Sequence, residues 1–156
     1  MDIGASIMGV NAVPPQVLVK TLNMDRNEWL EWRRRGIGGS DAAAVAGLNP
    51  WKSPIEVYLD KIGELPKQED NEKMYWGRVL EDIVAKEFAK RTGKKVRRRN
   101  AILQHLEYEF MLANIDRELV GEKVGLECKT ASEYTKDEWK DDKVPEQYIL
   151  QCQHYM

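Results

Sequence analysis

At Gly93 the apolar period of this chain changes from 3.6 residues to 2, and that switch constrains the fold more than any other feature. Upstream, Met74, Val79 or Leu80, Ile83, Val84 and Phe88 recur at helical spacing. They predict a long helix over about 71–92, with Gly93 as its C-terminal stop. Downstream, 95–103, 109–115 and 123–129 alternate apolar and polar residues and read as a three-strand meander, with Gln104-His105 and Gly121 in the turns. Shorter helices precede the switch. Asp25 can cap one running to about Arg34, with Trp29, Leu30 and Trp32 on its apolar side and Gly36 to Gly39 breaking it. Ser40 or Asp41 caps a short alanine-rich helix ending at Gly47. Ser53-Pro54 opens a third helix, to about Ile62, closed by Gly63. A charged loop containing Trp139 covers 130–143, and Pro145 opens a last helix. The order predicts an α/β (α+β) domain over 25–156, preceded by a loosely held arm, 1–24. Trp29, Trp32, Trp51, Trp76 and Trp139 read as core, with a wedge against a DNA end as the other reading for Trp51.

Composition mostly excludes. A chain of 156 residues, 42% apolar and 32% charged, can bury a core and is not wholly disordered. Cys128 and Cys152 form no CxxC pair, so neither a disulfide framework nor structural zinc is expected, and a reducing compartment fits. The longest apolar stretch, Ala42 to Leu48, is too short to span a bilayer, and the first residues lack the pattern of a signal peptide. The formal net charge of −2 shows no basic excess, but the charge is unevenly spread. From Lys86 to Arg99 only Glu87 opposes Lys86, Lys90, Arg91, Lys94, Lys95, Arg97, Arg98 and Arg99. Such a tract can follow a DNA backbone, although a solvated helix face and edge strand would read the same way.

The chemistry concentrates in two predicted strands. Asp116 ends one, and Glu127-Cys128-Lys129 lies in the next. Alternation puts Glu127 and Lys129 on one face and Cys128 on the other. In a hairpin Asp116 can lie beside Glu127, so two carboxylates and an amine converge at one sheet edge. Magnesium favours carboxylates with water completing its shell. A lysine beside the ion can orient a water nucleophile and stabilise charge on a phosphate. Glu81, in the long helix, can add a third carboxylate. Single acids at strand ends are usually solvated surface, so the combination carries this reading. His105 is expected in a turn and His154 on a helix surface, both too isolated for a metal site.

This arrangement resembles the PD-(D/E)XK nuclease core, with Asp116 as its D and Glu127-Cys128-Lys129 as its (D/E)XK. More specifically, the chain resembles the YqaJ-type viral recombinase family, to which the lambda-type 5′→3′ exonucleases belong. The matching segments run from Trp29-Leu30-x-x-Arg33 through Gly36-Ile37-Gly38-Gly39-Ser40-Asp41, Gly47-Leu48-Asn49-Pro50-Trp51 and Gly77-Arg78-Val79-Leu80-Glu81. Ala113-Asn114-Ile115-Asp116-Arg117, Leu126-Glu127-Cys128-Lys129-Thr130 and the segment Tyr148 to Met156 complete them, the last containing a Q-x-x-x-Y spacing.

The resemblance implies roles. Asp116, Glu127 and the backbone carbonyl of Cys128 would bind Mg²⁺ or Mn²⁺, and Glu81 would hold a metal-bound water or a second ion. Lys129 would position the attacking water, and Gln151 and Tyr155 would flank the site. Arg33 and Ser40 match positions that take a terminal 5′-phosphate, with the register open within Arg33-Arg34-Arg35. An arginine fork suits a phosphate, and Ser40 at a helix start would add a hydroxyl beside backbone N–H groups. Family members continue beyond the point reached by Met156, with at least one more strand. The last core strand is therefore expected to be missing and one sheet edge unfilled, which also puts the ring-shaped trimer of lambda-type relatives in doubt.

The resulting expectation is a metal-dependent DNA nuclease. It would be a 5′→3′ exonuclease on duplex DNA ends, working beside a single-strand annealing protein in phage-type recombination. The place of action would be the cytoplasm of a bacterial host, with no membrane involved. The alternatives are an endonuclease of the same fold and a non-catalytic binding module, docking on DNA or a protein, that keeps the nuclease fold.

Overall fold

The computed structural model describes residues 5–9, 14–66 and 70–156, with side chains described from Pro14 onward. Local signals place the helices. In α1 (Arg26–Arg34) the Asp25 carboxylate accepts the Asn27 N–H at 2.8 Å and the Glu28 N–H at 3.1 Å. In α3 (Pro54–Lys61) Ser53 and Glu56 cap each other reciprocally, as Ser53-Pro54 predicts. The long helix α4 (Glu72–Thr92) starts with the Asn71 side chain accepting the Met74 N–H at 3.0 Å. It stops at Gly93, whose φ of 70° an L side chain would resist. The last helix, α5, spans Glu146–Tyr155. The helix α2 (Gly39–Val45) begins two to three residues earlier than expected. Its N-cap is Gly38, so Ser40 lies in the first turn, and Asp41 reaches back to accept the Gly38 N–H at 3.2 Å.

The strands depart further from expectation. The stretch 95–103 is two strands, β3 (Val96–Arg98) and β4 (Ala101–Gln104), which belong to different sheets. Only Leu112–Ala113 of 109–115 is a strand, β5, while β6 is Arg117–Leu119 and β7 is Val124–Cys128. The meander is therefore wrong. Alternation reports which face a side chain takes, not which strand it pairs with. The residues read as an arm supply two more strands, β1 (Ala5–Gly9) and β2 (Gln16–Lys20). Among the described residues these strands pair antiparallel, in a four-stranded sheet β1-β7-β6-β3 and a three-stranded sheet β2-β4-β5, and one isolated parallel bridge joins Ile37 to Met111. β1 lies beside β7 at one edge of the four-stranded sheet.

The chain divides into two compact units, each built from separate stretches. The first holds β1, α4, β3, β6, β7 and a 3₁₀ segment, Glu133–Asp142. Its core is Phe88, Leu119 and Leu126, flanked by Val96, Val124 and Cys128. The face that α4 buries runs through Val84, Ala85 and Phe88, so Val79 and Ile83 stand outside it, 41% and 57% exposed.

The second unit holds α1, α2, α3, α5 and the other sheet. Ile102, Leu103 and Leu112 are buried in its strands, and Ala43, Ala44 and Val57 in its helices. Here α2 packs on α5, and Gly39 makes that approach possible. A Cβ there would lie 2.5 Å from the Tyr155 ring and 2.8 Å from Gln151 Cγ. His154 is half-buried rather than on the surface, because its Nε2 sits 2.9 Å from the Ile37 carbonyl oxygen and 3.1 Å from that of Leu112. His105 lies in a turn as expected, its Nδ1 accepting the N–H groups of Glu107 and Tyr108. None of the five tryptophans is buried, and Trp51 is 63% exposed. Phe88 and aliphatic side chains form the buried interior among the described residues instead. No helix among the described residues is long and apolar enough to cross a membrane.

Candidate active site

The register of β6 against β7 sets the site in the first unit. Arg117 faces Leu126 and Glu118 faces Gly125, so the residue before β6, Asp116, comes level with Glu127. The Cys128 N–H donates to Asp116 Oδ2 at 2.7 Å. Lys129 Nζ stands 2.7 Å from Glu127 Oε1, which puts these two side chains on one face of β7. Leu126 and Cys128 take the other face, toward Phe88. Glu127 is buried, with 5% of its surface exposed. Burial and the neighbouring Glu127 charge push the Asp116 carboxyl up to about 7, against the pull of the Cys128 N–H. Burial, and then Asp116, push the Cys128 thiol up to about 12, so Cys128 stays neutral and contributes its backbone rather than a thiolate.

Glu81 lies beside this group but is engaged elsewhere. Arg117, almost fully buried, sets Nη1 2.5 Å from Glu81 Oε1 and Nη2 3.1 Å from Asp82 Oδ1, and Nη1 also donates to the Asp116 carbonyl at 2.7 Å. Lys86 pairs with Asp82 at 2.7 Å. Arg98, half-exposed, stands 3.9 Å from Glu81 and 3.8 Å from Asp82. Among the described residues no three His, Cys, Asp or Glu side chains gather closely enough to hold a metal ion. The side-chain donors placed together are two, Asp116 and Glu127. Hard oxygen ligands in that number, with water making up the shell, are the usual donor set for magnesium or manganese.

The basic tract is paired within the same unit. Arg97 lies 2.5 Å and Arg99 3.3 Å from Glu118, Arg91 lies 2.8 Å from Glu87, and Lys94 lies 3.0 Å from Glu122. Arg97 and Arg98 remain more than half exposed. Their guanidinium groups therefore reach solvent.

The second unit gathers the other predicted residues. Arg33 donates from Nη2 to Ser40 Oγ at 2.8 Å, and its guanidinium lies 4.6 Å from the centroid of the Trp29 ring. Of the run Arg33-Arg34-Arg35, Arg33 is the one bonded to Ser40, while Arg34 pairs with Glu31 and Asp60 and Arg35 stacks on Trp32. Gln151, buried, donates from Nε2 to the Tyr155 hydroxyl at 3.2 Å, one helical turn away. Next to Ser40, Asp41 is almost fully buried and held by Lys61 Nζ at 2.7 Å and Lys52 Nζ at 3.1 Å. Burial alone would raise its carboxyl, but the Lys61 hydrogen bond and the charges of Lys61, Arg33 and Lys52 bring it down to about 2.

The family model for the YqaJ-like viral recombinase domain matches residues 28–156. This chain belongs to that family. The protein YqaJ of Bacillus subtilis (strain 168) is 58% identical over 142 residues, which make up 90% of this chain and 44% of YqaJ. The chain thus spans less than half the length of that relative. Protein D345L of African swine fever virus (isolate Tick/Malawi/Lil 20-1/1983) is 35% identical over 57 residues, 36% of this chain and 16% of D345L.

Within this YqaJ-like domain two charged residues matter that sequence reasoning passed over. Arg117 was legible only as the residue after Asp116. Its alternation with Leu119 on the buried face of β6 was the available signal. Asp41 read as a cap. Its spacing from Ala44, one turn along the buried face of α2, marked it as an interior acid.

Proposed function

We propose that this YqaJ-like domain is the hydrolytic core of a metal-dependent DNA nuclease of the PD-(D/E)XK type. The observation that carries the proposal is the juxtaposition of Asp116 with Glu127, and of Glu127 with Lys129, at the ends of paired strands. Asp116, Glu127 and the Cys128 carbonyl would hold one Mg²⁺ or Mn²⁺. When bound, that ion lowers the pKa of a coordinated water and neutralises charge on the scissile phosphate. The Cys128 N–H holds Asp116 in orientation. Lys129, tethered to Glu127, would orient the water and stabilise the phosphate oxygens. Hydrolysis adds water to phosphorus and breaks a P–O bond of the backbone.

In the second unit Arg33 and Ser40 would take a 5′-phosphate, with Gln151 and Tyr155 as further substrate contacts. The exposed guanidinium groups of Arg97 and Arg98, with Arg99, would follow the duplex backbone. Together these roles describe a 5′→3′ exonuclease on duplex ends, exposing a 3′ strand for an annealing protein during phage recombination in the bacterial cytoplasm.

The test is digestion of linear duplexes, with and without a 5′-phosphate, beside closed circular DNA, in Mg²⁺ or Mn²⁺. Linear DNA should be lost only with metal, and faster with the 5′-phosphate. Glu127→Ala should lower the rate by at least about a thousandfold. Cleavage of the closed circle would make the protein an endonuclease. Full activity of Glu127→Ala, or no cleavage of any substrate by folded protein, would remove the proposal.

A further inference from the structure

The register that brings Asp116 level with Glu127 also decides what stands on the other side of Asp116. β3 runs antiparallel to β6, with Arg97 facing Glu118 and Arg98 facing Arg117. One residue further along, Arg99 comes level with Asp116. Glu127, Asp116 and Arg99 therefore follow one another across the adjacent strands β7, β6 and β3, each step about 5 Å.

Alternation sorts the three arginines between the two faces of the sheet. Arg98 shares the face of Arg117 and stands 3.9 Å from Glu81 and 3.8 Å from Asp82, both on α4. Arg97 and Arg99 take the opposite face, to which Glu127 and Lys129 point, and both close on Glu118. Arg97 donates from Nε to Glu118 Oε1, and Arg99 from Nη1 to Glu118 Oε2. One carboxylate thus holds two guanidinium groups. Each guanidinium has further N–H donors beyond the one it uses, and together they exceed Glu118 by one positive charge. Their side chains are 65% and 32% exposed, so that surplus meets solvent. Packing does not require the arrangement, because the core of this unit lies on the other face, around Phe88. Exposed pairs of this kind add little to stability. What they do is restrict the rotamers of two long side chains, so that less freedom is lost when an anion arrives.

Resting on the nuclease reading above, we propose that Arg99 and Arg97, braced by Glu118, form a phosphate subsite beside the hydrolytic edge, which takes the phosphate next to the scissile one on the strand being cut. Adjacent phosphates of a strand are one nucleotide apart, an axial step of about 3.4 Å. A strand whose scissile phosphate lies at Asp116 and Glu127 therefore brings its neighbouring phosphate within reach of Arg99, one strand over. Recognition is by guanidinium forks on phosphate oxygens and carries no base preference. Glu118 is a positioning residue, and Arg98, on the other face, lies outside the subsite.

The experiment is cleavage of linear duplexes by the whole chain in Mg²⁺, with one phosphate at a time replaced by an uncharged methylphosphonate. In the wild type, a neutral linkage next to the scissile phosphate should raise KM about tenfold, and more distant ones much less. Arg99→Gln should raise KM to a similar degree on unmodified DNA and abolish the extra cost of that linkage, because both changes remove one contact. Arg98→Gln should keep the cost. Glu118→Gln separates a brace from a merely repelling charge. Its binding to unmodified duplex in EDTA should tighten, with a salt slope larger by about 1, while the cost of the neutral linkage shrinks. A cost that persists in full in Arg99→Gln, or a neutral linkage that costs the wild type nothing, would overturn the inference and leave the nuclease reading standing. Tighter binding by Glu118→Gln with the cost intact would overturn the role given to Glu118. Where Arg99→Gln fails to fold by circular dichroism, Arg97→Gln carries the same comparison. No metal-dependent cleavage by the wild type would remove the nuclease reading, and the inference with it.

Discussion

Two aspartates of this chain, Asp41 buried and Asp116 half-buried, meet opposite fates. Asp41 has a donor for each carboxylate oxygen, with Lys52 on Oδ1 and both Lys61 and the Gly38 N–H on Oδ2. Asp116 has one backbone N–H, and the charge that acts on it most strongly is another acid, Glu127. Burial pushes both carboxyls upward. The lysines overturn that push at Asp41 and bring it to about 2, while Glu127 adds to it at Asp116 and takes it to about 7. Desolvation alone therefore does not distinguish an acid that braces a fold from one that serves a reaction. The sign of the neighbours does, lysines at Asp41 and an acid at Asp116.

The comparison can be broken most severely by removing each acid in turn without metal. Asp41→Ala strands two lysine charges that are only partly solvated. It should cost about 3 kcal/mol and lower the melting temperature by roughly 10 °C. Glu127→Gln removes a charge that repels Asp116 but also strands Lys129, so in EDTA it should cost less than Asp41→Ala, which strands two lysines. Equal losses from both substitutions would mean that the two sites do the same structural work.

The pH dependence of stability sharpens the contrast, because the two carboxyls act with opposite sign. The Asp41 carboxyl lies below its unfolded value. Its contribution is complete above about pH 4 and is lost as the pH falls toward 2, amounting to about 2 kcal/mol. The Asp116 carboxyl lies above its unfolded value. Its contribution is complete below about pH 4 and is lost as the pH rises through 7. Urea midpoints in EDTA should therefore show an acid limb that Asp41→Asn flattens and a neutral limb that Asp116→Asn flattens. A single substitution that flattens both would merge the two sites.

The smallest effect is expected at the exposed pairs. Arg97→Ala should change stability by less than about 0.5 kcal/mol, since its pair with Glu118 lies largely in solvent. On duplex DNA it should reduce the salt slope of binding by about 1, which a binding series across salt concentrations would measure. An unchanged slope would leave Arg97 as surface charge.

What the sequence disclosed follows the range of the forces involved. The caps Asp25, Ser53 with Glu56, Asn71 and Gly93 act within one turn, and each is where its residue type predicts. The E-x-K spacing was equally local, and Glu127 does meet Lys129 on one face. Pairing between distant strands was not legible. Residues 95–103 read as one strand because no glycine or proline interrupts them, yet β3 joins β6 while β4 joins β2 and β5. Arg117 and Asp41 were missed for a related reason. A charged residue reads as surface until its opposite charges are placed, and those of Arg117 stand 35 and 36 positions away. The tryptophans misled in the reverse direction, since a large apolar side chain is not obliged to be buried.

The interleaving of the two units governs the order in which the molecule can form as it is made. The second unit draws on α1, α2 and α3 early in the chain and on α5 at 146–156, with Gly39 fitted against the Tyr155 ring. The first unit likewise pairs β1 with β7. A ribosome releasing the chain from its amino end therefore delivers early helices and strands long before the segments that cover them. Neither unit can close until about the last few dozen residues described here have emerged, and until then its apolar faces depend on chaperones or on chance to stay apart.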